Sequence, residues 1–269
     1  MPGTRTTASP CPVIEMRGSY SFTVARYLRL GYTVLRIIIL QTMVCGLAFA
    51  PVVLLWQAME LPARSPALRL ALQSLLIVPS YVLFALALLI VSPAGTRLAR
   101  LRTPENTTLR LVDLEWPLLK WVEYMAAAHV VRVFAGGLFR GSPMWTLYLR
   151  LNGARVGRSV YVNSLSVSDH NLLDFGDRVV IGADVHVSGH TVERGLLKTG
   201  SVTLGPDVTL GLGCVVEIGV EVGAHAQIGA LSFVPKHTRL DGGIVYAGVP
   251  VRPLAPATQA VLATSDRER

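Results

Sequence analysis

Charge is absent from two long stretches of this sequence, Ile37 to Met59 (IIILQTMVCGLAFAPVVLLWQAM) and Leu70 to Thr96 (LALQSLLIVPSYVLFALALLIVSPAGT). Each exceeds the roughly 20 residues that a helix needs to cross a hydrocarbon core. Charged residues make up only 16% of the 269, against 51% hydrophobic, and mean hydropathy is +0.48, which excludes an ordinary soluble composition. Cysteine is scarce too. Cys11, Cys45 and Cys214 lie far apart, which argues against a disulfide framework or a cysteine-based metal site and fits a reducing compartment. No zinc-finger or helix-turn-helix pattern and no aromatic-basic face is present, so no nucleic-acid partner is expected. The uncharged stretches hold no ionisable residue to mark an ion pathway, which argues against a channel.

What is there is a membrane hairpin. Pro51, Pro79 and Gly46 lie inside the stretches, where neighbouring helices can satisfy the freed backbone groups. The first stretch is too long for the apolar part of a signal peptide. Only Glu60 to Arg69 join the two, so both chain ends fall on one side. Arg5, Arg17, Arg26, Arg29 and Arg36 precede the first span and Arg97, Arg100 and Arg102 follow the second, whereas the connecting loop holds Arg64 and Arg69. That bias predicts a two-pass protein of the plasma membrane with both ends cytoplasmic. The net charge of +8 suits an anionic leaflet.

Five segments follow: a cytoplasmic N-terminal segment (1–36) whose first dozen residues read as a mobile tail, the transmembrane hairpin (37–96), a juxtamembrane connector (97–150), a β domain (151–255) and a C-terminal tail (256–269). Within Leu114 to Leu151, Trp116, Trp121, Tyr124, Trp145 and Tyr148 mix with Lys120, Arg132 and Arg140. Such a segment either lies at the membrane interface or packs on the domain that follows. Gly136 and Gly137 should end or bend it.

Beyond Leu151 a six-residue beat begins. Leu204, Leu210, Val216, Val222, Ile228, Val234, Leu240 and Tyr246 are all apolar, and four of them are followed by Gly. Phe175, Ile181 and Val187 keep the same beat upstream, and Val156 and Val162 keep one offset by a residue, the slip falling in SVSDHNLLD. Six residues do not return a side chain to one face of an α-helix. Short strands on the three sides of a triangular coil do, with the apolar residue inside and the Gly expected to help turn the corner. Small Cys214 and Ala226 stand where room inside is short.

These residues resemble the hexapeptide acyltransferases, whose domain is a left-handed parallel β-helix. LRLNGARVGRSVYV (Leu149 to Val162) is similar to its opening and YAGVPVRP (Tyr246 to Pro253) to its close. The stretch Ser168 to Gly205 (SDHNLLDFGDRVVIGADVHVSGHTVERGLLKTGSVTLG) is similar to the membrane C-terminal region of poly-lysine-synthetase-type nonribosomal peptide synthetases. There, helix pairs alternate with three tandem acyltransferase-like domains after an adenylation and a carrier domain. Here there is one helix pair and one β-helix. The resemblance therefore implies a membrane α-helical hairpin followed by an all-β left-handed parallel β-helix, assembled as a homotrimer with sites between subunits.

The beat fails once, between Val187 and Leu204, which lie one residue short of three repeats apart. HTVERGLLKTGS is expected to leave the coil as a loop, and such loops carry chemistry. His190 at its base is the preferred general base, with Glu193 to orient the imidazole and Arg194 or Lys198 to steady an oxyanion or bind the donor. A strand-end histidine bonded to backbone is the plainer reading. Asp169 and His170 mark the other irregularity; adjacent strand residues face opposite ways, so one of them at most should share a pocket with His190. Asp169 would then hold a substrate ammonium or simply stabilise a corner, and His170 would be a second base. His186 and His190 also raise a zinc site of the kind that carbonic anhydrases build on this fold, although the HVSGH spacing does not match it. His225 and His237 read as corner residues. Lys236, Arg239 and Arg252 occupy the last coils, where relatives bind coenzyme A phosphate; ordinary solvated charges would look the same.

The resemblance implies an acyltransferase forming an amide from a phosphopantetheine thioester and an amine. The donor would be a carrier protein charged by a separate adenylating enzyme, or coenzyme A, with no tightly bound cofactor or metal. The alternatives are an acetyl-coenzyme A-dependent O- or N-acetyltransferase, a metal hydro-lyase and a trimeric membrane scaffold without catalysis.

Overall fold

A computed structural model of the chain describes residues 19–58 and 65–255. The expected N-terminal and C-terminal tails, and most of the loop between the two spans, lie outside the described residues.

Both uncharged stretches are helical. Helix α1 runs Ser19–Ala58 and α2 Pro66–Leu98. Ser65 caps α2, its Oγ accepting from the Leu68 N–H at 3.3 Å, and Pro66 at the first position has no N–H to lose. The two helices pack through Val44 and Ala48 of α1 and Ala85, Leu88 and Leu89 of α2, while Ile38, Leu47, Leu75 and Ile90 stay exposed. The arginines in the first half of α1 are engaged by the connector: Arg26 pairs with Asp113 (3.2 Å) and Arg36 with buried Glu123 (3.1 Å), and Arg29 lies over the Trp116 ring.

The connector holds a third apolar helical run. Helix α3 (Trp116–Val131) passes through a π turn (Arg132–Gly136) into the single turn α4 (Gly137–Phe139), so three helices are long and apolar enough to cross a membrane. A charge-free criterion finds only two, because Lys120, Glu123 and Arg132 interrupt the third. Gly136 lies where a Cβ would come within 2.9 Å of the Leu165 side chain, so the π turn can press against the β domain. Helix α5 (Pro143–Leu151) adds Trp145, Tyr148 and Leu149 to the core, Trp145 Nε1 donating to the Ser164 carbonyl at 3.1 Å.

From Arg155 the chain winds as a parallel β-helix. One face stacks the strands carrying Val156, Phe175, Leu204, Val222 and Leu240; a second stacks those carrying Val162, Ile181, Leu210, Ile228 and Tyr246; the third stacks those carrying Val187, Val216 and Val234. Leu204 pairs with Val222 and Val222 with Leu240, a step of 18 residues per coil. The register slip is real and local: Val156 pairs with Phe175, one residue further on, across the 3-10 turn His170–Leu172.

The glycines after the inward residues do not turn the corners. Positive φ falls two residues later, at Asp207, Gly213, Gly219, His225, Leu231 and His237. A Cβ on Gly211 would lie 2.5 Å from the Ala230 nitrogen and one on Gly205 2.7 Å from that of Ala224. These glycines allow coils to stack, and the corner is made by the left-handed residue that follows.

Candidate functional site

The segment that breaks the beat is folded rather than loose. Strands His190–Glu193 and Leu196–Thr199 form an antiparallel hairpin around Arg194 and Gly195, whose φ values of 49° and 75° make the turn that suits a twisted two-residue hairpin. The Gly200 N–H bonds the Gly189 carbonyl at 2.9 Å and closes the neck, so the excursion leaves the coil and returns at one point. A third strand, Thr108–Arg110 of the connector, pairs with Leu196–Thr199 and covers it. Leu197 is fully buried there with Leu109 and Leu118, which fixes the hairpin against α3. The expectation of a loop fails because TVE and LLK alternate well enough to pair once Arg-Gly supplies the turn.

At the hairpin's base stands His190. Its Nδ1 lies 2.5 Å from Asp169 Oδ2, and its ring meets Trp121 edge to face at 4.9 Å between centroids. The side chain keeps 21% of its surface exposed, whereas that of Asp169 has none. Asp169 occupies the left-handed region (φ 56°) at the register slip, and that conformation turns its carboxylate to the corner that His190 shares.

Three further donors hold the carboxylate. Thr103 Oγ1 donates to Oδ1 at 2.7 Å, Trp121 Nε1 to the same oxygen at 3.1 Å, and Ser168 Oγ to Oδ2 at 2.9 Å. Burial alone would raise the Asp169 carboxyl; the hydrogen bonds from His190, Thr103 and Trp121 outweigh it and hold the group below its ordinary value. A charged Asp169 beside Nδ1 fixes the imidazole tautomer with the proton on Nδ1 and the lone pair on Nε2. Ser188 Oγ donates to the His190 carbonyl at 2.8 Å and steadies its backbone.

His170 points the other way. It is buried, its Nδ1 2.7 Å from the Tyr124 hydroxyl, with a second hydrogen bond to the backbone of Val167. Burial pushes its imidazole down to about 4, so it is a neutral structural group and not placed to serve as a second base. Glu193 does not orient His190: at the far end of the hairpin it pairs with Lys198 (3.4 Å) and with Lys236. Arg194 is exposed at the turn and Arg239 pairs with Glu221 at 3.1 Å on the coil surface. His225 and His237 are corner residues. Among the described residues no three His, Cys, Asp or Glu side chains converge as a metal cage would.

The structure therefore joins Asp169 to His190, turns the neighbouring His170 ring to Tyr124, pairs Glu193 and Arg239 elsewhere and leaves Arg194 at an exposed turn. Trp121 was expected only as an interfacial or packing ring, and Thr103 had no assigned role. Neither did Glu217, one coil on, whose carboxyl is raised by burial and lowered in part by His190.

No family model matches the chain. Over 114 residues it is 28% identical to Delta-poly-L-ornithine synthetase of Acinetobacter baumannii (strain AB307-0294), covering 42% of this chain and 9% of that protein. Over 105 residues it is 36% identical to galactoside O-acetyltransferase of Escherichia coli (strain K12), covering 36% of this chain and 51% of that protein. A solved galactoside acetyltransferase in complex with coenzyme A is 26% identical, covers 42% of this chain and 69% of that one, and gives a TM-score of 0.35. The chain is similar to hexapeptide-repeat acyltransferases and to a poly-amino-acid synthetase, and it spans about half or less of the length of the curated relatives it matches.

Proposed function

We propose that this hexapeptide-repeat chain is a membrane-anchored acyltransferase in which His190 is the general base and Asp169 its orienting carboxylate. The observation that carries the reading is the 2.5 Å contact between them, with Asp169 buried and His190 partly open. As an amine nitrogen bonds to the thioester carbonyl carbon, Nε2 takes its proton and the imidazolium is stabilised by Asp169. The tetrahedral oxyanion then collapses, the carbon–sulfur bond breaks, and the thiolate leaves as a thiol with the proton from Nε2.

The donor is read as an acyl or aminoacyl phosphopantetheine thioester and the product as an amide. Similarity to a synthetase of polymeric ornithine supports this, together with the apolar helices that precede the β-helix. The second reading, acetyl transfer from acetyl-coenzyme A to a small acceptor, rests on the 36% identity to galactoside O-acetyltransferase.

In this proposal α1 and α2 span the membrane, and α3 lies along the β-helix, since Trp121 and Tyr124 reach Asp169 and His170. Both ends and the β-helix are cytoplasmic, and three copies assemble around adjacent prisms. Thioester consumption by the detergent-solubilised chain, with aminoacyl-pantetheine and acetyl-coenzyme A in parallel and a panel of amines, separates the readings. Turnover of the aminoacyl donor supports amide formation; turnover confined to acetyl-coenzyme A supports the acetyltransferase; none with either donor or with a charged carrier protein favours the scaffold.

A further inference from the structure

Beside this site, between the end of α2 and the first coils, lies a cleft of about 880 Å³ that does not include His190. Arg97, Arg100, Arg102, Lys120 and Arg155 line it, against two carboxylates, Glu105 and Asp174. Arg155 is paired with Asp174 at 3.5 Å. Among the described residues the other four cations form no ion pair, although they share one opening and Lys120 helps to lower the Glu123 carboxyl. A second lobe of about 420 Å³ continues from Arg100, Arg102 and Lys120 to Trp116.

The two central arginines are held on an ordered backbone. In the run Arg100-Leu101-Arg102-Thr103 the second and fourth side chains are buried, so the first and third face out. Leu101 N–H bonds the Thr96 carbonyl at 2.8 Å, and Asn171 clamps Thr103 through both its N–H (3.1 Å) and its carbonyl (2.9 Å). The negative end of the α2 dipole accounts for a cation at Arg97. It does not account for Lys120 and Arg155, which arrive from α3 and the first coil to the same cleft.

We infer that this cleft binds a phosphate-bearing ligand. Guanidinium groups fit phosphate oxygens two at a time, and unpaired cations around one opening favour a dianion or a headgroup with several acceptors over a lone carboxylate. The ligand comes from the membrane: Arg97 stands in the last turn of α2, at the end of the uncharged run Leu70 to Thr96, where headgroup phosphates lie. A soluble diphosphate has the same chemistry and is the other source. The inference does not depend on the chemistry of His190.

The test uses the full chain in detergent, titrated with phosphatidylglycerol and separately with inorganic pyrophosphate, with bound ligand read by native mass spectrometry. The double substitution R100Q/R102Q is expected to weaken phosphatidylglycerol binding about tenfold. R158Q/R252Q, which removes the same charge from exposed positions outside the cleft lining, should leave it unchanged. K120Q alone gives a smaller loss and serves if the double variant does not fold. Binding of pyrophosphate without phosphatidylglycerol, lost in R100Q/R102Q, keeps the site and assigns it a soluble ligand. Equal weakening by both double variants, or by neither, overturns the site.

Discussion

The coils from Leu204 to Tyr246 and those from Val156 to Leu204 are built on one plan, and only the second group holds the Asp169–His190 pair. In the regular coils each inward residue is covered by the next turn and each corner is a left-handed residue, so little but backbone hydrogen bonds and paired surface charges remain. In the interrupted coils the step from Phe175 to Leu204 takes 29 residues instead of 18, and the step from Val156 to Phe175 takes one too many. The two irregularities meet at one corner. The slip turns Asp169 toward it, the hairpin brings His190 to it, and the connector adds Thr103 and Trp121. A β-helix without interruptions presents a smooth surface; a site needs backbone that departs from the coil and something rigid to hold it there.

Short of removing His190 itself, breaking the orienting contact should have the largest effect on that contrast. Asp169→Asn keeps the shape but favours the wrong tautomer, and thioester turnover should fall at least about a hundredfold. Circular dichroism of the same preparation should show the β-helix intact. Thr103→Val removes one donor to the carboxylate across the connector; a hydrogen bond to a charged group of this kind corresponds to about tenfold in turnover. Because Thr103 acts through Asp169, that loss should appear in kcat rather than KM, and Thr103→Ser should restore most of it.

The smallest effect, on stability alone, comes from His170. Its folded value of about 4 lies below the ordinary 6.5, so between these values the unfolded chain holds a proton that the folded chain does not. Stability should thus fall as pH falls through that window, by roughly 2 kcal/mol at pH 5 relative to pH 7. His170→Gln should flatten the dependence, measured as detergent melting temperature at the two pH values.

The repeat from Leu204 to Tyr246 is legible because apolar residues at a fixed step admit one geometry, and the inward set is the one the step names. His190 and Asp169 are legible as irregularities, since a segment must break the beat to leave the coil. Their pairing is not legible. Glu193 is nearer in sequence, but a hairpin carries it to the far end of the strand that His190 begins, whereas Asp169 reaches His190 by a left-handed turn one coil earlier. Thr103 and Trp121 come from the connector, outside the six-residue beat, 66 and 48 residues before the carboxylate they hold, so spacing cannot reveal them. The hairpin had a signal in Arg194-Gly195 between two alternating runs, and the role of Gly205 and Gly211 had none, since stacking distance between coils is a tertiary fact.

The most direct test of the central claim is thioester turnover by His190→Ala beside wild type, in the same detergent and with the donor the wild type uses. Loss of about a thousandfold or more, with an unchanged melting temperature, is the result predicted for a general base whose ring is partly exposed. Turnover within twofold of wild type would contradict the assignment of catalysis to the Asp169–His190 corner.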